Sequence, residues 1–200
     1  MRTAEHPVRV VDYVGSLARG TAGTSVSSPG AGRYNVTFTG VVSGCSYIAT
    51  VGDPSDDLVF NPSGISTGSG SNSRTVYVET KNPGGGLQSG VPFHLALICA
   101  STADARYVVG KAAGAKQRAS AGTTSARSAT GRFRAAFNRN VTTCAAVATR
   151  GSFNTAVPFT PTTMEIVPGP NPSTVGFQVR QLGFFGGAFT NQSFHAAIVC

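Results

Sequence analysis

The chain contains an internal duplication, and this feature limits its possible folds more than any other. The segment GRYNVTFTGVVSGCSYIATVG (32–52) aligns without gaps on GRFRAAFNRNVTTCAAVATRG (131–151). Each copy then ends on a related heptad, FHLALIC (93–99) in the first and FHAAIVC (194–200) in the second. Blocks that recur in the same order indicate two structural units of the same design.

The duplication sets the predicted domain organisation. We interpret residues 1–99 as a first β module, 100–106 as a linker and 107–200 as a second, more basic module. A chain of 200 residues is long enough for two small domains. The closing heptads are apolar at nearly every position, which predicts a central strand that is covered on both faces.

Apolar and polar residues alternate with a period of two, which is typical of β-strands. In RYNVTF, for example, Tyr34, Val36 and Phe38 fall on one side of the predicted strand. With 25 glycines, 11 prolines and only 12% charged residues, the composition suits short strands joined by frequent turns. The sequence therefore predicts an all-β fold of two tandem small β-sandwich or barrel modules. The segment 103–122 also has a helix-like composition, but its two glycines favour strands.

Each repeat has two cysteines at matching positions, Cys45 and Cys99 in the first and Cys144 and Cys200 in the second. Of the possible pairings, the duplication favours the one within each repeat. Such a bridge would tie the last strand to an early strand and restrict the unfolded chain. The alternative is four buried free thiols, which is the expected state in a reducing compartment.

The histidines do not predict a metal site. His94 and Cys99 are five positions apart on one predicted strand, so their side chains leave opposite faces and cannot share an ion. We therefore expect His94 and His195 to be packed or hydrogen-bonded structural residues. No cofactor is predicted.

Catalytic residues are not predicted either. The chain has no phosphate-binding glycine motif and no spaced acid pair shared by both repeats. Asp53, Asp56 and Asp57 form a carboxylate cluster whose oxygens could bind calcium. The second repeat lacks acids in that region, which favours an ordinary solvated turn. We therefore expect a protein that is not an enzyme.

The net charge of +8 arises in the second half, because residues 101–200 include ten basic and two acidic residues. Residues 1–100 include six of each. This asymmetry predicts a face that docks an anionic partner. The residues assigned to that face are Lys116, Arg118, Arg127, Arg132, Arg134, Arg139 and Arg150. A merely solubilising surface is the alternative. Nucleic acid is a less favoured partner, because the chain has no tryptophan and Phe133 and Phe137 are expected in the core.

The motifs of the repeat are specific enough to compare with a family. FNRNV (137–141) with Cys144, and CSYIATVG (45–52), lie upstream of strand-like blocks and a closing FH heptad. They resemble an uncharacterised tandem β repeat of actinobacterial proteins, with blocks F-N-R-x-V-x-x-C-A-Y-V-A-T-x-G, V-F-V-x-T and F-H-L-A-V-x-C. LARG (17–20) resembles that family's opening. The resemblance covers nearly the whole chain and implies an origin among such bacteria and their phages. It implies no enzymatic activity, and Ala146 stands where the family has tyrosine.

These features predict a non-enzymatic structural or surface-binding protein. We expect an exterior virion component of a phage (a capsid decoration protein, head fibre or tail fibre) whose partner is a capsid or other virion protein, with homo-oligomers also possible. It would be made in the host cytosol, since no signal peptide and no membrane segment are evident.

Two alternatives remain open at this point. The first is a secreted or cell-surface module that binds carbohydrate or a cell-wall polymer. Such a module needs aromatic side chains on its loops, for which the candidates are Phe60, Phe153, Phe159, Phe184, Phe185 and Phe189. The second, ranked third overall, is a nucleic-acid-binding protein that uses the basic second module.

Overall fold

The computed structural model describes residues 8–55, 64–101, 104–153, 162–181 and 187–200. These residues form β-strands joined by turns, which confirms the predicted all-β class. The strands of the first half are β1 (Val8–Val11), β2 (Leu17–Arg19), β3 (Ser25–Gly30), β4 (Arg33–Thr37), β5 (Cys45–Val51), β6 (Gly64–Ser69), β7 (Thr75–Lys81) and β8 (Phe93–Cys99). Those of the second half are β9 (Ala105–Gly110), β10 (Lys116–Ala119), β11 (Thr124–Ala129), β12 (Arg132–Ala136), β13 (Ala145–Arg150), β14 (Thr162–Pro168), β15 (Thr174–Gln181) and β16 (Phe194–Val199).

Each half builds two four-stranded antiparallel sheets in the same order. The first half has β2-β1-β8-β5 facing β3-β4-β7-β6, and the second has β10-β9-β16-β13 facing β11-β12-β15-β14. The sheets are open, so the sandwich alternative describes each module. The segment 103–122 contributes β9 and β10, which excludes the helix considered for it. Strand β9 begins at Ala105, inside the stretch interpreted as a linker.

The predicted alternation places one face of each strand in a core. In β4, Tyr34 and Val36 are buried while their neighbours are partly exposed. They pack with Leu95 and Leu97 of the opposite sheet in the core of the first module. In the second module, the four phenylalanines of the corresponding core are Phe133, Phe137, Phe177 and Phe194. Burial of such side chains is the main source of stability in a fold of this kind.

The closing heptads form central strands, as their apolar composition predicts. Strand β8 lies between β1 and β5, and β16 lies between β9 and β13. Phe93 and Phe194, which begin these strands, are both fully buried.

Gly32 and Gly131 are identical in the two repeats for a conformational reason. Both have a positive φ, 64° and 63°, in the turn that precedes β4 and β12, a region that favours glycine. A Cβ atom at Gly32 would lie 2.6 Å from the Thr80 carbonyl oxygen, and one at Gly131 would lie 2.5 Å from that of Val179. Any other residue would therefore clash with the neighbouring strand at either position.

Both disulfides join cysteines of the same repeat, which confirms the predicted pairing. Cys45 is bonded to Cys99 and Cys144 to Cys200. Cys45 and Cys99 are direct cross-strand partners on β5 and β8. Each bridge therefore fastens the edge strand of a sheet to the central strand beside it.

Replacing Cys45 and Cys99 together by alanine is expected to lower the free energy of unfolding by about 2–4 kcal/mol, because the unfolded chain then gains conformational freedom. The bridge spans 54 residues, and the second bridge spans 56. The matched double variant at Cys144 and Cys200 should therefore lose a similar amount. Urea denaturation of both variants measures the two losses; two variants as stable as the wild type would contradict this expectation.

Candidate functional site

The two modules meet along strand β5, where buried polar side chains such as Thr149 and His195 contact the first module. Strand β5 is the edge strand of its sheet, and it lies against the outward face of β9, β13 and β16. An apolar cluster fills the centre of this contact. Its first-module members are Ile48 and Ile98, and its second-module members include Tyr107, Val109 and Ala197. The modules are therefore joined by a packed interface as well as by the chain between them.

Side chains of the second module bond the open edge of β5. The Tyr47 amide donates to His195 Nδ1 at 3.0 Å. The Ala49 amide donates to Thr149 Oγ1 at 2.8 Å, and that hydroxyl in turn donates to the Ala49 carbonyl at 3.0 Å. An edge strand normally presents unpaired backbone groups that invite another strand. Here His195 and Thr149 satisfy them in place of a strand.

His195 is held as a neutral ring. It is fully buried, its ring stacks on that of Tyr47 at 4.9 Å between centroids, and its Nε2 donates to the Ser152 carbonyl at 3.3 Å. Because Nδ1 accepts from Tyr47, the proton sits on Nε2. Burial, assisted by the charge of Arg118, lowers the pKa of His195 to about 3. The expected structural role of this histidine is confirmed.

His94 repeats part of this arrangement in the first module. Its Nε2 lies 3.3 Å from the Asp53 carbonyl, as His195 Nε2 does from that of Ser152. Within the described residues, no group of three histidines, cysteines or acids is placed to hold a metal ion. Asp56 and Asp57 of the possible calcium cluster lie outside those residues.

Two of the arginines assigned to the docking face belong to the interface instead. Arg118 lies 4.7 Å from the centre of the Tyr47 ring and donates to the Ser43 carbonyl, both in the first module. Arg150 is 3% exposed and donates to Thr162 Oγ1 at 3.2 Å. Burial lowers the pKa of Arg150 to about 10, and the carboxylate of Glu79 opposes that shift. The expectation for Arg150 is thus wrong, because a buried side chain cannot dock an external partner.

Glu79 is the centre of a buried charged group that sequence reasoning missed. Lys81, with no exposed surface, places its Nζ 3.1 Å from Glu79 Oε2. The Tyr77 hydroxyl donates to Glu79 Oε1 at 3.0 Å, and burial together with this contact raises the pKa of Tyr77 to about 12. These residues alternate with Val76 and Val78 on β7, so the sequence places them on the outward face. Nothing in the sequence signals that this face is covered.

Three basic residues of the second module form one outward-facing surface. Arg132 and Arg134 point outward from β12, and Arg180 points outward from the neighbouring β15. Phe189 lies between two of them, 4.6 Å from the Arg132 guanidinium and 4.0 Å from that of Arg180. We call Arg132, Arg134 and Arg180 the cationic face. Arg180 was not among the residues assigned from the sequence, because its position beside Arg132 depends on the pairing of β15 with β12.

The other assigned residues lie apart from this face. Lys116 and Arg127 are exposed on β10 and β11, where Lys116 Nζ donates to the Thr123 carbonyl at 3.2 Å. Arg139 is partly exposed in the segment after β12. These residues are close in sequence and were therefore predicted to share one face, but in the fold they lie on different surfaces.

The loop phenylalanines that the structure describes already contact other side chains of the protein. Phe153 packs against the apolar cluster between the modules, and Phe189 is covered by two arginines. The other candidates, Phe60, Phe159, Phe184 and Phe185, lie outside the described residues. A helix with the length and apolarity needed to span a bilayer is absent from the described part of the chain.

Comparison with protein-family models, with curated proteins and with solved structures finds no match for this chain.

Proposed function

We propose that the protein is a non-enzymatic structural component that docks on an anionic surface through its second module, and that it belongs to the exterior of a phage particle. The observation that carries this proposal is the cationic face. Arg132, Arg134 and Arg180 project from one side of a sheet, and Glu165 is the carboxylate on the adjacent β14. A flat surface with such an excess of positive charge steers and holds an acidic partner.

The redox state of the cysteines supports a location outside the cytosol. Two disulfides, one in each module, are typical of proteins that work in oxidising surroundings. A virion protein reaches such surroundings after assembly in the host cytosol. The resemblance of the repeat to actinobacterial proteins supports a source among these bacteria or their phages.

The cationic face also supports a second candidate, a secreted module that binds an anionic cell-wall polymer. A shallow groove of about 300 Å³ lies beside Arg132 and Arg134 and is walled by Pro168, Pro170 and Gln178. An extended polymer could lie in it, with its charges near the arginines. Nucleic acid is the third candidate. It is less well supported, because the arginines on either side of Phe189 oppose its use as a stacking platform.

The first test locates the native protein. Phage particles purified from the source culture on a density gradient are expected to contain it, with its mass showing two closed disulfides. Native protein found only in the particle-free fraction would overturn the virion assignment. Retention on purified cell wall would then favour the second candidate.

The second test concerns the cationic face itself. The double variant Arg132→Glu with Arg134→Glu is expected to bind the target surface at least about tenfold more weakly, since charge reversal turns attraction into repulsion. Lys116→Glu with Arg127→Glu is the matched control, because it changes the net charge equally at exposed positions away from the face. Equal losses in both double variants would show that overall charge, and not this face, determines binding.

A further inference from the structure

The interface between the modules is made of two different surfaces, one from each module. The repeat gives each module a counterpart of the surface that the other module uses. One surface is the acceptor, made of His195 and Thr149 on the outward face of the second module. The other is the donor, the edge of β5 in the first module. Because the repeats are equivalent, the first module also carries an acceptor and the second also carries a donor. We infer that copies of this chain associate head to tail through these two surfaces.

The acceptor of the first module is Thr50 and His94. They are cross-strand partners on β5 and β8, as Thr149 and His195 are on β13 and β16. His94 is oriented in the same way as His195, because its Nε2 lies 3.3 Å from the carbonyl oxygen of Asp53 in the segment after β5. Its Nδ1 has no partner among the described residues, and Thr50 is exposed. The two groups that bond a strand edge in the second module are therefore available in the first.

The donor of the second module is the edge of β13. This strand pairs with β16 on one side and ends its sheet on the other. Ala146 and Ala148 occupy the positions of Tyr47 and Ala49, whose amides bond the acceptor within the chain. Neither alanine amide has a hydrogen-bond partner in the described part of the structure. Val199 corresponds to Ile98 of the apolar cluster and is 37% exposed.

An unoccupied edge and a matching acceptor on one molecule favour association between molecules. Backbone groups of an edge strand gain hydrogen bonds when another surface covers them. Within one chain, a threonine and a histidine of this arrangement already bond the edge of a strand equivalent to β13. Since donor and acceptor are different surfaces, the contact is heterologous, and successive copies form a chain or a ring.

The contact between copies is weaker than the one within a copy. Ala146 replaces Tyr47, and Val8 replaces Tyr107, so two aromatic rings of the internal interface are missing. A groove of about 460 Å³ lies beside Ala146, lined also by Val141, Cys144 and Ile166. The internal interface, in addition, is helped by the covalent connection between modules. Association is therefore expected to be reversible and dependent on concentration.

Sedimentation velocity of the full chain from micromolar to millimolar concentration tests this inference. The wild type should form dimers and longer species as concentration rises. Thr50→Arg should block the acceptor, and Ala148→Pro should remove the donor amide at an edge position where proline is tolerated. Each variant alone should associate at least about tenfold more weakly. Thr124→Arg, at an exposed threonine of β11, is the matched control and should behave as the wild type.

Mixing the two variants separates the proposed contact from other modes of association. Thr50→Arg retains a donor and Ala148→Pro retains an acceptor, so their mixture should form a dimer and nothing larger. Val199→Arg is a second donor variant in case the proline disturbs folding. A wild type that stays monomeric at millimolar concentration would overturn the inference. So would association of Thr50→Arg alone that is as strong as that of the wild type, because the contact would then not need the acceptor of the first module. The cationic face is not involved, so this result is independent of the docking experiment above.

Discussion

Replacing Glu79 by alanine is expected to lower the free energy of unfolding by about 3–5 kcal/mol, because it leaves a buried cation without its counter-charge. Lys81 is the cation most affected, since it has no exposed surface and its Nζ lies 3.1 Å from the lost carboxylate. Arg150 also loses the charge that opposes the lowering of its pKa. Urea denaturation at neutral pH measures the loss.

Two further variants show which part of this group matters. Tyr77→Phe removes one hydrogen bond to Glu79 and keeps the charges, so it should lower the free energy of unfolding by only about 0.5–1.5 kcal/mol. Glu79→Gln keeps the shape and removes the charge, and it should approach the alanine variant. If Glu79→Gln were as stable as the wild type, the carboxylate charge would not be needed to hold the two cations.

Acidification is expected to destabilise the protein through His195. The pKa of His195 falls from an ordinary value of 6.5 to about 3 in the folded protein, chiefly because the ring is buried. Below pH 6.5 the unfolded chain therefore takes up a proton that the folded protein does not. The resulting contribution to stability is complete above pH 6.5 and is lost progressively as pH falls towards 3. The slope within this window approaches about 1.4 kcal/mol per pH unit, and the total is on the order of 5 kcal/mol.

His195→Gln is the control for this prediction. Glutamine does not titrate, and its amide can still accept from Tyr47 and donate to the Ser152 carbonyl. Urea denaturation of both proteins at a series of pH values between 7 and 3 should show a steeper loss in the wild type. Parallel curves would mean that other groups account for the acid sensitivity and that the pKa of His195 in the folded protein stays near its ordinary value.

Structural features that depend on a single repeat could be predicted from the sequence, whereas the positions of residues near the contact between the repeats could not. The alternation of Tyr34 and Val36, the burial of the closing heptads and the pairing of Cys45 with Cys99 all follow from local pattern or from the duplication. The locations of Arg150 and Glu79 do not. Glu79 lies on the outward face of β7, which alternation predicts to be exposed, and Arg150 lies at the end of β13 on the same side as its core partner Phe194. Both are buried, and the charge of Glu79 in the first module acts on Arg150 in the second.

The cationic face illustrates the same limit at the surface. Arg132 and Arg134 could be assigned from their alternation with Phe133 on one strand. Arg180 is separated from them by more than forty positions and joins them only because β15 pairs with β12 in a particular register. Lys116 and Arg127 are nearer in sequence and yet lie on other strands. Strand pairing, rather than distance along the chain, determines which charges act together.

The bonds that His195 and Thr149 make to β5 end on main-chain atoms, and this has an evolutionary consequence. Every residue except proline offers the same amide and carbonyl, so mutations of the β5 side chains leave these two anchors in place. A gene that acquired another copy of the repeat would inherit a working joint at once, without first evolving complementary side chains. Arrays of such modules can therefore lengthen, shorten or exchange units while their sequences diverge.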